Sequence, residues 1–391
     1  MIIRGGTIVS FQSPLQADIE VMGETLRCIR RDIPRKSGEQ MIDADGCYVF
    51  PALVNSHDHL EFNLYPRLGS PPYRNAYEWG RDLHARSPDI IRSIERIPLA
   101  LRSWWGAWKN LFSGVTVVVH HGRLGFLQKR SLPVSVPSQM SIAHSLEFED
   151  DIEHSIRKRR RGRPFVLHVA EGTDETARRE IRVLKELGGL DRDTVIVHAV
   201  GAANGDAGEL HASGAAVVWC PSSNLYLFGA TAPVHTYLPN VRIALGTDST
   251  LTGVPTLFEE LRIAHGSSSL PKELIAKMVT VLPKQIFGLP TGTGELQEGG
   301  SADFFLVRQT RNDPVDQLFS LEPEDILLLV RRGKPLFWDS GFRGVSFESS
   351  GSARLRMRGT VKVIPDRKFS GRFKLLRHSL KHYPYLQGLE S

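Results

Sequence analysis

FVLHVAEGTDETARREIRVLKELGGLDRDTVIVHAVG, residues 165–201, decides the fold. Two short apolar runs, Phe165–Ala170 and Thr194–Ala199, flank an amphipathic stretch at Glu175–Gly188. Short apolar runs of this length read as buried strands, and the longer periodic stretch reads as a helix. Strand, helix, strand in that order is the repeating unit of a parallel α/β sheet. Each run also carries a histidine near its end, His168 and His198.

The alternation extends in both directions. Further strands are predicted at Tyr48–Asn55, Val115–His120, Met140–Leu146, Ala215–Cys220 and Arg242–Gly246, with a shorter piece at Pro133–Val136. Helices are predicted at Asp89–Phe112, Asp150–Arg161 and Pro271–Phe287. Residues 51–289 therefore suit a (β/α)8 TIM barrel, which usually takes about 250 residues. Gly122–Met140 is too short for two ordinary βα units, so one unit is expected to be shortened. The flanks 1–50 and 290–345 hold β-type pieces broken by Gly and Pro, and bracket the barrel. They are expected to combine into one small β-sandwich-like domain. Residues 346–391 are read as a basic C-terminal tail.

Charge separates that tail from the body. From Ser350 to Ser391 there are 10 Lys/Arg against 2 Asp/Glu, whereas the remaining chain carries 39 against 41. A basic segment can bind nucleic acid. No nucleic-acid motif accompanies it, so a solvated or self-docking tail is the expectation. The run RKRRRGR at Arg157–Arg163 is read as cations favouring the C-terminal end of a helix. No apolar run reaches the roughly 18 residues that cross a bilayer. Cys28, Cys47 and Cys220 are too few and too scattered for a disulfide framework. Together these features predict a reduced, cytoplasmic protein that acts on a small molecule, with no membrane partner, and a homo-oligomer is compatible with them.

The chemistry sits at the strand ends. His57-Asp58-His59 follows the apolar run YVFPALVN, and residues two apart on a strand point to one side. FVLHVAEG places Glu171 three residues after His168, VIVHAVG supplies His198, and IALGTDST supplies Asp248. A packed core histidine explains any one of these, but not the set, because active-site groups of a barrel come from the C-terminal ends of different strands. Imidazole and carboxylate together suit a divalent metal, Zn2+ first and Fe2+ next, with one position open for water. Glu171 can pass protons to a leaving group, and His198 can hydrogen-bond the attacking oxygen.

HxH, HxxE, a strand-end histidine and GTDS in this order resemble the amidohydrolase superfamily, in particular its aminohydrolase branch of cytosine, guanine and adenosine-type deaminases and triazine hydrolases. WCPSSNLYLFG (Trp219–Gly229), LPKQIFGLPTGTGELQEGGSADFFLV (Leu282–Val307) and RGGTIVS through MIDADGCYVFPALVNSHDH extend the similarity over roughly Met1–Asp339. The resemblance implies one metal on His57, His59, His168 and Asp248. It makes Glu171 the proton shuttle, and His198 and Asp248 the groups that orient and deprotonate water. Binuclear relatives add a lysine on the fourth strand. Here that strand reads MSIAHSL, which favours a single ion. Glu61 and His144 fall where relatives contact substrate; His120 ends the second strand and is taken as a further substrate contact, with His121 the alternative because neighbouring strand residues point opposite ways. Hydrolytic deamination of a purine, pyrimidine, pterin or triazine ring is the leading expectation. Loss of chloride, an alkylamine or a cyclic amide bond at the same residues is the second, and a non-catalytic scaffold of the same fold is the third.

Overall fold

A computed structural model describes all of the chain except residues 11–12, 35–36, 123–124, 126–130, 204, 343–344, 346, 348–350 and 391. Two compact units are present: one of Met1–Val54, Trp108–Thr116 and Pro290–Ser391, the other of Asn55–Ala107 and Val117–Leu289.

The first unit is built on an eleven-stranded sheet. Its two chain flanks meet where Cys47–Pro51 pairs antiparallel with Phe304–Arg308, bringing Phe50 opposite Phe305. The two rings stack with centroids 5.3 Å apart. Ile3, Ile19, Leu26, Val49, Phe304, Leu306 and Leu328 form its buried core.

The sheet runs well past residue 345. Ala353–Met357, Thr360–Ile364 and Leu386–Leu389 extend it, with the helix Phe369–Leu376 between the second and third of these strands. The segment read as a separate basic tail is therefore largely folded. ARLRM alternates strictly, with Ala353, Leu355 and Met357 buried and the arginines between them exposed. Those arginines make surface ion pairs with Glu390, at 2.8 Å from Arg354 and 2.6 Å from Arg356. Lys362 is buried, and its Nζ donates to Glu324 O, Ile326 O and Asp339 Oδ2 at 2.7–2.8 Å. Net charge hid a period-two pattern that the apolar positions carry on their own.

In the second unit five parallel strands lie in the order Arg242–Leu245, Ala216–Trp219, Thr194–His198, Phe165–Val169 and Ser141–Ser145. Val166, Val195, Val197, Ala216, Val218 and Ala244 share one core. The register pairs His168 with Val197 and His198 with Val169, so the histidines come to the same end of the sheet. Leu53–Asp58 and Val115–His120 form a separate two-stranded pair. Of Pro133–Val136, Ser135 alone makes a bridge, to Val117.

The helix Glu175–Glu186 confirms the periodicity that opened the reading: Asp174 caps it by accepting from Ala177 N, and Ala177, Ile181 and Leu184 are buried. Two predicted helices are broken. Pro88–Glu95 and Leu99–Leu111 replace Asp89–Phe112, and Lys272–Met278 and Val281–Phe287 replace Pro271–Phe287. Pro98 and Pro283 stand at or near the breaks and lack the N–H that a continuous helix needs. Among the described residues no helix is long and apolar enough to cross a membrane.

Candidate metal centre and active site

Alternation along Leu53–Asp58 and into His59 sets the first two imidazoles. Their rings lie 5.0 Å apart, while Asp58 points elsewhere and accepts from Asn63 Nδ2 at 2.8 Å. Asp58 is thus an anchor for the turn. Asn55 ties this strand to the far one, donating to Thr247 Oγ1 at 2.8 Å and accepting from Thr247 N at 3.1 Å. Next to it, Asp248 N donates to His57 O at 3.0 Å. Gly246 permits this approach: a Cβ there would lie 2.6 Å from His57 N.

His168 enters from the neighbouring sheet. Its Nδ1 lies 2.7 Å from His144 O, and a carbonyl can only accept, so Nδ1 carries the proton. Nε2 is left with its lone pair, 3.3 Å from His57 Nε2. Asp248 Oδ1 is 3.9 Å from His57 Nε2 and 3.8 Å from His59 Nε2. His57, His59 and His168 form one cluster able to hold an ion, and His57, His198 and Asp248 form another, each with ligand atoms within 4.8 Å of one another. The donor set fits a divalent metal. Zn–N bonds of about 2.0–2.1 Å in a tetrahedral site place ligand nitrogens about 3.3 Å apart, close to the spacing of His57 and His168. The outward N–H of His168, held by a carbonyl, is the support that metal-bound imidazoles usually have. Burial holds His57 and His168 well below the ordinary imidazole pKa, aided by the neighbouring histidines, so both are neutral and able to coordinate.

The strand ends are bent to make this possible. Ala170, His198, Ala199 and Asp248 all have positive φ, 55°, 78°, 51° and 55°, without being glycine. Such residues are costly and cluster where the surroundings impose them. Val195 and Val197 face the shared core, and simple alternation would send His198 the other way; the turn in its backbone re-aims it. Tyr237 OH fixes Ala199 O at 2.9 Å, and Glu180 Oε2 accepts from Ala170 N at 2.5 Å.

Glu171 Oε1 is 3.5 Å from His198 Nε2. Burial, with Asp248 and Glu180 nearby, pushes the Glu171 carboxyl well above its usual pKa. Burial also lowers His198 to about 4. Asp248 moves the other way: burial would raise it, but His59, His198, the Ser249 N–H and the Ser223 hydroxyl outweigh that and keep it ionised. Its Oδ2 receives the hydroxyls of Ser223 and Thr252, each at 2.9 Å, and Oδ1 receives Ser249 N at 2.7 Å.

A cavity of about 80 Å³ runs between His59, His144, His168, Glu171, His198 and Asp248. A second lobe of about 350 Å³ shares His59 and His144 and adds Glu61, His121, Glu149 and Asp150. His121 lines the lobe; His120 lies beside it, with its Nδ1 accepting from Leu60 N at 3.2 Å and 3.6 Å from Glu61 Oε2. Glu61 and His144 do line the cavity; burial raises the former carboxyl and lowers the latter imidazole to about 4.

Four participants escaped the sequence reading. Ser223 and Thr252 hold Asp248 and were overlooked as ordinary hydroxyls. Tyr77 and Glu180, hydrogen-bonded to each other, line the same pocket. Glu180 had a visible signal, since it lies on the apolar Ala177–Ile181–Leu184 face of its helix. Trp79 lines the pocket, while Trp104 and Trp105 are buried outside its lining.

The family model for the amidohydrolase family matches residues 114–336, more than half of the chain. The chain belongs to the amidohydrolase family. Its similarities fall on the aminohydrolase branch, and this amidohydrolase is an enzyme acting on carbon–nitrogen bonds other than peptide bonds. It is 23% identical to a 5-methylthioadenosine/S-adenosylhomocysteine deaminase of Pyrococcus furiosus, over 89% of this chain and 97% of that protein. It is 24% identical to a 5'-deoxyadenosine deaminase of Methanosarcina mazei, over 78% and 84%. An adenosine deaminase from Xanthomonas campestris with bound zinc superposes with a TM-score of 0.74, at 15% identity and 97% coverage of both chains. An atrazine chlorohydrolase from Arthrobacter aurescens complexed with zinc gives a TM-score of 0.65 at 20% identity, covering 86% of this chain and 94% of that one. The fold is thus shared across two leaving groups, and a divalent metal fits the family and the donor set alike.

Proposed function

We propose that this amidohydrolase hydrolytically deaminates a nitrogen heterocycle, using one divalent metal, Zn2+ before Fe2+, on His57, His59, His168 and Asp248. The observation that carries the reading is Glu171 and His198 meeting at 3.5 Å beside those four residues. A metal in such a set lowers the pKa of water toward about 7 and so supplies a nucleophile at neutral pH. Asp248 accepts the proton of the attacking water, and His198 donates to its oxygen. Glu171, whose carboxyl burial pushes well above its usual pKa, gives its proton to the ring nitrogen beside the attacked carbon. The departing amine takes up the proton on Asp248, and Glu171 recovers its own from the added hydroxyl. One water is consumed and one ammonia leaves.

The same reading takes the parallel strands as part of one closed (β/α)8 barrel with one shortened βα unit. The Asp248 N to His57 O hydrogen bond and the Gly246 contact support closure between the last strand and the first. Among the described residues neither pocket lining carries a lysine, which supports a single ion.

Among the described residues those linings carry no arginine, whereas Glu61, Glu149, Asp150, Glu171 and Glu180 are acidic. A neutral or protonated ring suits them, and a phosphorylated substrate does not. A largely apolar cavity of about 700 Å³, with Tyr65, Leu83 and Ile91 beside the shared Phe62, Trp79 and Phe148 and with Arg81, His84 and Glu95 also in its lining, has room for an apolar substituent. The relatives named for 5-methylthioadenosine make aminopurine nucleosides the first substrates to try.

Ammonia release from zinc-loaded protein tests this on aminopurines and their nucleosides, aminopyrimidines, pterins and triazines. Release from at least one is expected. Adding a 5'-phosphate to an accepted nucleoside should lower kcat/KM at least about tenfold, because its roughly two negative charges at neutral pH would meet the acidic linings. Metal-loaded protein that releases no ammonia from any of them contradicts the proposal.

A further inference from the structure

We infer that a hydrogen-bond relay from Trp219 through Thr231 and Asn224 holds His198 in one tautomer, with its proton on Nε2 and presented to the pocket. The direction of each link follows from what each group can donate. An indole Nε1–H can only donate, and that of Trp219 lies 2.6 Å from Thr231 Oγ1. Thr231 accepts there and turns its own proton to Asn224 Oδ1, at 3.4 Å. This orients the amide, so that Asn224 Nδ2 faces His198 Nδ1 at 2.8 Å. An amide nitrogen donates and never accepts, so Nδ1 must hold the lone pair and Nε2 the proton. Nε2 is the atom that reaches toward Glu171.

Trp219, Asn224 and His198 are buried and Thr231 is half-buried, so the link from Asn224 to His198 is shielded from bulk solvent. A neutral imidazole has one proton for two nitrogens, and the hydrogen bond at one nitrogen decides the role of the other. With Nδ1 protonated, Nε2 would show a lone pair to the attacking oxygen and stabilise no negative charge there. The catalytic consequence rests on the deamination proposed above; the tautomer itself does not. Trp219, Thr231 and Asn224 are positioning residues, and the CPSSN segment supports both sides of the site, through Ser223 on Asp248 and Asn224 on His198.

Ring-nitrogen NMR on full-length, zinc-loaded protein labelled with 15N-histidine tests the relay, with the His198 signals assigned by their loss in His198→Gln. The wild type is expected to show a single form, protonated at Nε2. Thr231→Val removes the hydroxyl that orients the amide. A second population protonated at Nδ1 should then appear, and kcat should fall about 10–100-fold with KM within about twofold, the usual range for a supporting hydrogen bond. Thr231→Ser should restore both. A wild-type His198 protonated at Nδ1 overturns the relay without any variant, and so does a folded Thr231→Val protein with the wild-type spectrum. A tautomer that shifts in a protein releasing no ammonia keeps the relay and counts against deamination. An unchanged tautomer in an active deaminase does the reverse.

Discussion

Replacing Asp248 by Asn is expected to lower kcat by about 10³-fold or more, in the upper part of the range for a group that handles protons in the transition state. Both carboxylate oxygens are committed. Oδ2 accepts from Ser223 and Thr252, and Oδ1 accepts from Ser249 N while facing His57 and His59. An amide must put its NH2 at one of these places. At Oδ2 it meets two hydroxyls already directed at it; at Oδ1 it meets a backbone N–H and the position of the metal. Either orientation sets donor against donor and removes the negative charge. Turnover and bound zinc, measured together, check this. A variant within tenfold of wild-type turnover would show that Asp248 neither holds the ion nor takes the proton.

Glu171→Gln should be nearly as damaging by a different route. The glutamine keeps the size of the side chain and places nothing charged in the pocket, but it cannot cycle a proton. Losing a general acid–base costs about 10²–10⁴-fold in rate. Because Glu171 belongs to neither cluster of candidate ligands, zinc content is expected to stay at the wild-type level. KM should change much less than kcat, since the interaction is made in the transition state. Full zinc with kcat unchanged would remove Glu171 from the mechanism.

Much of the site was legible in the sequence because strands and metals impose short-range rules. Period-two alternation put His57 and His59 on one side, and strand ends marked His168, His198 and Asp248. What lay beyond those rules was contact between segments far apart in sequence. Ser223 and Thr252 look like any other hydroxyls until they fold against Asp248. His120 and His121 were indistinguishable because the choice depends on where the strand stops. The folded segment 353–389 was masked by its charge, although Leu355, Met357 and Val363 carry its pattern. Glu180 was the missed opportunity, a carboxylate on the buried face of an otherwise clear amphipathic helix. The helix breaks near Pro98 and Pro283 were also there to be read, and helical periodicity on both sides concealed them.

Metal titration tests the central proposal most directly. Protein stripped with a chelator should be inactive, and activity should return in proportion to added Zn2+ and level off at one equivalent per chain. His168→Ala should neither bind that equivalent tightly nor regain activity. Full turnover in the stripped protein, or a plateau only at two equivalents, would contradict a single metal on His57, His59, His168 and Asp248.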